Sequence, residues 1–200
     1  MRSIALVLLL VFGFAPLANA GVDTTDDGLK RMDWFAPAEN RDFTDLLAQA
    51  KAAGKRLVVI WAMPDDADSV KLIEQNYTHP KVAAYAQEHY LVTTMNFVGD
   101  KAVTLADGNT ATEMDAAMGL DLTLLPTTVF YNDDGSELFR LDGYISPRFY
   151  FAGLMYIGTG EYTDDQYRGM FVRWSRANSG RVREIFGDNP NTSTEAPISQ

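Results

Sequence analysis

Three carboxylates and one hydroxyl follow a strongly apolar stretch of the chain. Asp65, Asp66, Asp68 and Ser69 come shortly after the run Leu57–Ala62. Carboxylates at the start of a helix accept hydrogen bonds from free backbone amides and complement the helix dipole. We therefore expect Asp66 or Asp68 to cap the helix that follows. Calcium would need about six oxygen ligands, and this segment lacks the glycine and the spacing of a calcium-binding loop.

Redox and hydrolytic chemistry need groups that this chain lacks or does not bring together in sequence. The 200 residues contain no cysteine. Thiol–disulfide exchange requires an attacking thiolate and a second sulfur, so it is excluded. The chain has two histidines, and no spacing pairs either of them with Ser69 or Ser146. We therefore expect no redox activity and assign no catalytic residue, and an enzyme with unrelated chemistry stays open as a third interpretation.

Methionine and histidine side chains allow a second interpretation. Thioether and imidazole groups bind copper, and the candidates are Met63, His79, His89, Met95, Met114 and Met118. The four-residue spacing of Met114 and Met118 is more typical of a helix face packed in a core. A periplasmic copper carrier or sensor using Met, His and Asp side chains is therefore the alternative function, and we assign no metal site and no cofactor.

Arginine and aromatic residues alternate near the C-terminus. A possible docking helix carries Arg168, Arg173, Trp174 and Arg176, with Arg181 and Arg183 beyond it. Such combinations are common at the centres of protein interfaces. The other interpretation is a solvated helix face whose arginines pair with the acidic body of the protein.

The first twenty residues have the pattern of a signal peptide. Arg2 precedes the apolar stretch Ile4–Phe14, and Ala18–Ala20 forms a small-residue cleavage site before Gly21. The pattern predicts export, most simply to a bacterial periplasm. The formal net charge of −10 argues against binding to nucleic acid or to an anionic membrane.

The order of predicted elements indicates an α/β fold with a mixed central sheet. Helices are expected at about 41–53, 66–77, 80–89, 113–118 and 147–158, and strands at 57–62, 90–97, 127–131 and 138–141. The first two strands should be parallel through a crossover. The last two should form a hairpin around Asn132–Gly135, and 98–112 should be a loop.

The remaining segments complete the expected organisation. Residues 21–40 form an N-terminal arm whose pair Trp34 and Phe35 should pack on the domain, and 41–165 form the domain itself. An Arg-rich helix is expected at 166–186 and a disordered tail at 187–200.

In the order and spacing of its motifs, the chain resembles the thioredoxin superfamily. It is most similar to exported thioredoxin-like proteins found in sulfur-oxidation gene clusters. The resemblance covers roughly residues 40–165 and rests on Gly54–Leu57, Met63–Asp65, Asn96–Asp100, Asp107-Gly108, Thr112-Glu113, Leu125–Phe130, Asp134-Gly135, Arg140–Tyr144, Pro147, Phe151, Leu154–Ile157 and Gly160–Tyr162.

The departures from that family fall on its redox parts. Asp66 and Ser69 stand where the family has its cysteine pair, and Val59 stands where a buried aspartate assists proton transfer. The resemblance implies that Pro126 is cis and lies beside the loop that carries Asp66. Leu125 precedes it, where the family often has threonine. The family's reductase activity is not expected.

These considerations predict an exported, non-catalytic module that acts as a protein-binding, adaptor or chaperone-like partner of another exported protein. The resemblance places its binding surface on the former active-site face, with Trp61, Met63, Asp66, Ser69, Leu125 and Pro126. The backbone of Leu125 could pair with an extended partner segment. Pro126 could equally be a turn that the fold requires without any ligand.

Overall fold

The computed structural model describes residues 21–162 and 168–187. The predicted signal peptide and all but the first residue of the predicted tail lie outside them. The strands are β1 (Val22–Thr24), β2 (Lys30–Met32), β3 (Arg56–Ala62), β4 (Tyr90–Asn96), β5 (Ala102–Thr104), β6 (Thr110–Thr112), β7 (Thr127–Tyr131) and β8 (Glu137–Asp142). The helices are α1 (Phe43–Ala52), α2 (Ala67–Lys71), α3 (Pro80–His89), α4 (Glu113–Gly119), α5 (Pro147–Gly158), α6 (Arg168–Ala177) and α7 (Ser179–Phe186).

A four-stranded mixed sheet forms the centre of the domain, in the order β4-β3-β7-β8. Strands β3 and β4 are parallel, whereas β7 is antiparallel to both β3 and β8. The predicted parallel pair and the predicted hairpin are therefore confirmed. A π-helical turn, Leu72–Tyr77, extends α2 up to α3.

Alternation along β3 divides the apolar residues into two cores, because successive strand side chains point to opposite faces of the sheet. Val58, Ile60 and Ala62 belong to the core beneath α3 and α5. Leu57, Val59 and Trp61 belong to the core beneath α1 and α4. The apolar run is continuous because both faces of the strand are covered.

The N-terminal arm forms a small antiparallel hairpin from β1 and β2 and then packs on the domain. The ring of Phe35 lies 5.0 Å from the ring of Tyr77, centroid to centroid, and that of Trp34 lies 6.0 Å from it. The expected packing of this aromatic pair is confirmed.

Two sequence-based assignments need correction. The predicted loop 98–112 contains the hairpin of β5 and β6, whose turn holds the Asp107-Gly108 signal. Short threonine-containing strands give a weak sequence pattern, so the turn was visible but the strands were not. The Arg-rich segment is two helices, α6 and α7, which are separated at Asn178.

The C-terminal helices pack against the domain through their aromatic and aliphatic side chains. Trp174 lies 5.5 Å from Tyr156, ring to ring, and Phe186 lies 5.5 Å from Phe151. Val182 is buried in the same core. Within the described ranges, no helix is both long and apolar enough to cross a membrane.

Candidate functional site

The chain that leaves β3 forms a tight loop held by a helix cap. One carboxylate oxygen of Asp66 accepts a hydrogen bond from the backbone amide of Ser69 at 2.7 Å. The amide of Met63 donates to the Ser69 hydroxyl at 3.3 Å. Ser69 is buried, and its oxygen already accepts this bond. The two residues at the expected cysteine positions thus serve the local structure of the loop.

The other two aspartates of the cluster differ in their surroundings. Asp65 is exposed and has a φ of 61°, which places it in the left-handed region that aspartate tolerates better than most residues. Asp68 forms an exposed ion pair with Lys71 at 2.9 Å. A hydrogen bond and charge attraction from Asp68 raise the pKa of Lys71. Asp65 therefore carries the carboxylate of this loop that is most open to solvent.

The peptide bond between Leu125 and Pro126 is cis, as the family resemblance implied. Trp61 pairs with Thr127 across β3 and β7. Continuing that register by two residues places Met63 beside Leu125. Pro126 is buried, whereas Leu125 is half-buried. Among the described residues, neither the amide nor the carbonyl of Leu125 makes a hydrogen bond.

Leu124 is a member of this surface that sequence reasoning missed. Its side chain is 53% exposed, although it lies only two residues before the buried Pro126. Its carbonyl accepts a hydrogen bond from the Thr127 hydroxyl, which fixes the backbone before β7. We call the surface formed by Met63, Asp66, Leu124 and Leu125 the proline face.

The prediction that Trp61 belongs to the binding surface is wrong. Its side chain has no solvent exposure and lies in the core beneath α1 and α4. The physical reason is the strand period, because Trp61 alternates with Ile60 and Ala62 and points to the opposite face of the sheet. The buried Ser69 and Pro126 likewise support the surface from below and do not offer side chains to a partner.

A buried chain of hydroxyl groups stiffens the other side of this region. The hydroxyls of Tyr77 and Tyr150 are 2.8 Å apart, and the Thr128 hydroxyl lies 3.1 Å from that of Tyr150. Burial raises the pKa of Tyr150 to about 12. The chain links the π-helical turn, β7 and α5, so the strand that follows Pro126 is anchored to two helical segments.

A buried carboxylate network also lies at the end of β4. Glu113 has no solvent exposure, and its Oε1 accepts hydrogen bonds from the Asn96 amide at 3.0 Å and from Arg41 Nε at 3.1 Å. A Cβ atom on Gly99 would lie 2.2 Å from Glu113 Oε2 and 2.9 Å from Asn96 Cβ, so a larger residue here would displace this network. Sequence gave no sign of this network, because a lone glutamate at a helix start normally faces solvent.

The N-terminal arm borders the loop that follows β3. A Cβ atom on Gly28 would lie 3.3 Å from Cβ of Pro64. Asp27 accepts a hydrogen bond from Asn96 Nδ2 at 3.2 Å and pairs with Lys101 at 3.4 Å. Burial acts to raise the pKa of Asp27, but hydrogen bonds, including those from Thr25 and Asn96, outweigh it and lower the pKa overall. The arm is therefore held in place beside the loop.

The methionine and histidine residues of the copper interpretation do not converge. His79 and His89 mark the two ends of α3, about 15 Å apart at the rise of an α-helix. Met95 is buried, whereas Met114 and Met118 are 45% and 64% exposed, so the expected core role of the latter two is wrong. In the described part of the chain, no group of three or more His, Asp or Glu residues could hold a metal ion.

The predicted docking helix divides into inward and outward residues. The indole of Trp174 donates a hydrogen bond to Glu161 at 2.8 Å, and its ring packs on Tyr156. Its indole N–H and part of its ring are therefore engaged within the domain, and the side chain stays partly exposed. Arg173 and Arg176 are exposed, whereas the side chain of Arg168 lies outside the described residues.

The mixed sheet between two helical layers, with a cis proline directly before β7, defines a thioredoxin fold. A solved thioredoxin-fold protein from Helicobacter pylori is similar, with a TM-score of 0.61 and 15% identity over 74% of this chain and 94% of that chain. A thioredoxin from Thermus thermophilus has a TM-score of 0.47 and 17% identity over 64% and 95%, respectively. No curated protein matches the sequence.

The thioredoxin-like domain family matches residues 43–157, which is more than half of the chain. The chain therefore belongs to this family. It lacks the cysteines on which thiol chemistry in such proteins depends.

Proposed function

We propose that this protein is an exported, non-catalytic thioredoxin-like module that binds an extended segment of another exported protein through its proline face. The observation that carries the proposal is the free backbone of Leu125 beside the half-buried side chains of Leu125 and Met63. An extended peptide can add to a free backbone edge, and neighbouring side-chain contacts then supply selectivity.

The chemistry of the loop fits binding without turnover. The chain has no thiol to form a mixed disulfide with a partner. The Ser69 hydroxyl is buried and accepts the amide of Met63, and Asp66 caps α2. A partner would therefore be held by reversible backbone pairing and apolar contact, which suits an adaptor or chaperone-like role.

The cellular setting is part of the proposal. The signal-peptide pattern of residues 1–20 supports export to the periplasm, with a mature protein that begins at Gly21. The motif resemblance supports a role beside the proteins of a sulfur-oxidation gene cluster. N-terminal sequencing of the protein from a periplasmic fraction tests the first point, and a chain that retains residues 1–20 would contradict it.

The binding experiment compares the mature protein with Leu125→Arg and Ile185→Arg as baits in periplasmic extract. Both variants replace an aliphatic side chain by arginine, but Ile185 is an exposed residue of α7, a helix that packs on α3, α5 and α6. We expect the wild type and Ile185→Arg to retain the same partner, identified by mass spectrometry, and Leu125→Arg to lose it. A partner retained equally by Leu125→Arg would refute binding at the proline face.

A further inference from the structure

We propose that a second surface of this protein, a basic groove between α5 and the pair α6–α7, binds an acidic segment with an apolar anchor from a partner protein. The groove has a volume of about 220 Å³. Its lining includes Arg148, Phe149, Ala152, Arg176, Ser179 and Val182. It is distinct from the proline face, and the proposal does not depend on the function assigned there.

The floor of the groove is apolar and formed by packed helices. Ala152 and Val182 are 3% exposed each, so their positions are fixed by the core beneath α5. Phe149, by contrast, is 59% exposed, although it lies on a helix whose other aromatic residues, Tyr150, Phe151 and Tyr156, are buried. An exposed phenylalanine beside a fixed apolar floor provides a contact for an apolar side chain.

Two guanidinium groups flank this floor without internal partners. Arg148 is half-buried and Arg176 is exposed. Across residues 21–162 and 168–187, neither takes part in an ion pair or a hydrogen bond through its side chain. Arg181 differs from them, because its guanidinium is already paired with Glu161 at 2.6 Å. Free arginines at an apolar groove are suited to carboxylates, which they bind with two parallel hydrogen bonds.

The charge distribution identifies the occupant. The whole chain has a formal net charge of −10, yet helices α5, α6 and α7 carry six arginines and a single acidic residue, Glu184. A basic patch on an acidic protein selects an acidic partner and steers its approach. The volume is below the roughly 300–1,000 Å³ of ordinary small-molecule sites. It therefore suits one apolar side chain of a peptide segment, flanked by carboxylates.

A membrane surface fits this groove less well. Val172 and Ile185 are 43% and 39% exposed beside the arginines, and exposed apolar residues among arginines can also contact anionic lipid. However, the net negative charge of the protein opposes approach to such a bilayer, and a concave floor contacts a planar surface poorly. We therefore assign the groove to a protein segment.

The test uses the mature protein and a short fluorescein-labelled peptide with a central Leu-Phe pair flanked by glutamates. Two matched peptides replace the glutamates by lysines or the Leu-Phe pair by serines. We expect saturable binding of the first peptide by fluorescence polarisation, weakened by salt, and a loss of about tenfold or more for each matched peptide.

The protein variants are Arg148→Glu/Arg176→Glu and, as a control, Arg173→Glu/Arg183→Glu. Both double variants change the net charge equally, but Arg173 and Arg183 are exposed residues that do not line the groove. The first should weaken peptide binding about tenfold or more and the second less than about threefold. Circular dichroism and thermal unfolding of each variant show whether the fold is retained.

Several outcomes would overturn the proposal. They are failure of the Glu/Leu-Phe peptide to bind, equal binding of the serine peptide, and equal losses in the two double variants. Binding to phosphatidylglycerol vesicles that the peptide does not displace would assign the surface to a membrane. Self-association of the protein that the peptide does not disrupt would assign it to a second copy. If the Arg148→Glu/Arg176→Glu variant unfolds, Phe149→Asp serves instead, because this side chain is exposed.

Discussion

The acidic loop after β3 and the basic groove beside α5 carry opposite charges, but they differ more in how those charges are used. In the loop, Asp66 caps α2 and Asp68 pairs with Lys71. In the groove, Arg148 and Arg176 have no such partners in the described chain. The loop therefore stabilises its own structure with its charges, whereas the groove leaves its charges free for another molecule.

The proline face and the basic groove also differ in the kind of contact that each offers to another molecule. The proline face offers a free backbone amide and carbonyl at Leu125 with apolar side chains around them. The basic groove offers guanidinium groups around an apolar floor. Backbone pairing tolerates many sequences, whereas charge pairing selects for composition. We propose the two surfaces for two partners, or for two segments of one partner, with different degrees of selectivity.

The largest expected effect tests whether Trp61 supports the proline face from the core. Trp61→Ala should lower the free energy of unfolding by about 3–5 kcal/mol, because it empties a fully buried position. Met63→Ala, at a half-buried position two residues on, should cost about 1 kcal/mol or less. Urea unfolding of both variants measures this. Similar small losses for the two would contradict the core role of Trp61.

An intermediate effect tests whether the carboxylate of Asp66 acts as a cap. Asp66→Ala removes the acceptor of the Ser69 amide and should cost about 0.5–2 kcal/mol. The control is Asp65→Asn, which keeps a residue that tolerates a positive φ and should change stability by less than about 0.5 kcal/mol. Thermal and urea unfolding give both values. If the Asp66 variant is as stable as the control, the carboxylate of Asp66 does not stabilise the helix as a cap.

The smallest expected effect is a pH dependence of stability. It arises at the contact between His79, at the start of α3, and helix α7. His79 Nδ1 accepts the Lys81 amide at 3.3 Å, and its ring stacks on Phe186 of α7 at 4.2 Å. Burial, aided by the charge of Lys81, lowers the pKa of His79 below its ordinary value of 6.5. The neutral ring is thus the stabilising form, and its contribution is complete above pH 6.5 and lost as the pH falls through the folded pKa.

This pH dependence can be measured from unfolding curves between about pH 8 and pH 5. The wild type should lose stability over this range, and His79→Phe, which retains an aromatic ring but cannot titrate, should lose less. Amide hydrogen exchange should show the loss in α7 and not in the loop after β3. Equal pH profiles for the two proteins would show that another group controls the titration.

Some elements of the fold could be predicted from the sequence, and others could not. The parallel pair β3–β4 and the β7–β8 hairpin followed from an apolar run, a turn signal and the order of elements, and both are confirmed. The cis bond at Pro126 came from family resemblance and is also confirmed. The hairpin β5–β6 and the break at Asn178 were missed, because short polar strands and a one-residue helix break leave little trace in hydrophobic periodicity.

The exposure of side chains on the candidate surfaces was harder to predict from the sequence than the main strands were. The family resemblance placed Trp61 among the contact residues, and the alternation of arginine and aromatic residues placed Trp174 among them. The structure buries the first and bonds the second to Glu161. Conversely, Met114, Met118 and Leu124 are exposed, although methionine and leucine side chains are usually buried. Side-chain type gives only an average tendency to be buried, and these positions depart from it.

The sequence by itself determined the fold class and excluded one chemistry. Its apolar runs and turn signals specify local elements, and a chain without cysteine cannot exchange disulfides. Only the tertiary structure decided which charges are free, that Glu113 is buried against Arg41, and that Arg148 and Arg176 meet at one groove. Those properties depend on contacts between residues far apart in the chain, and composition and periodicity carry no information about such pairs.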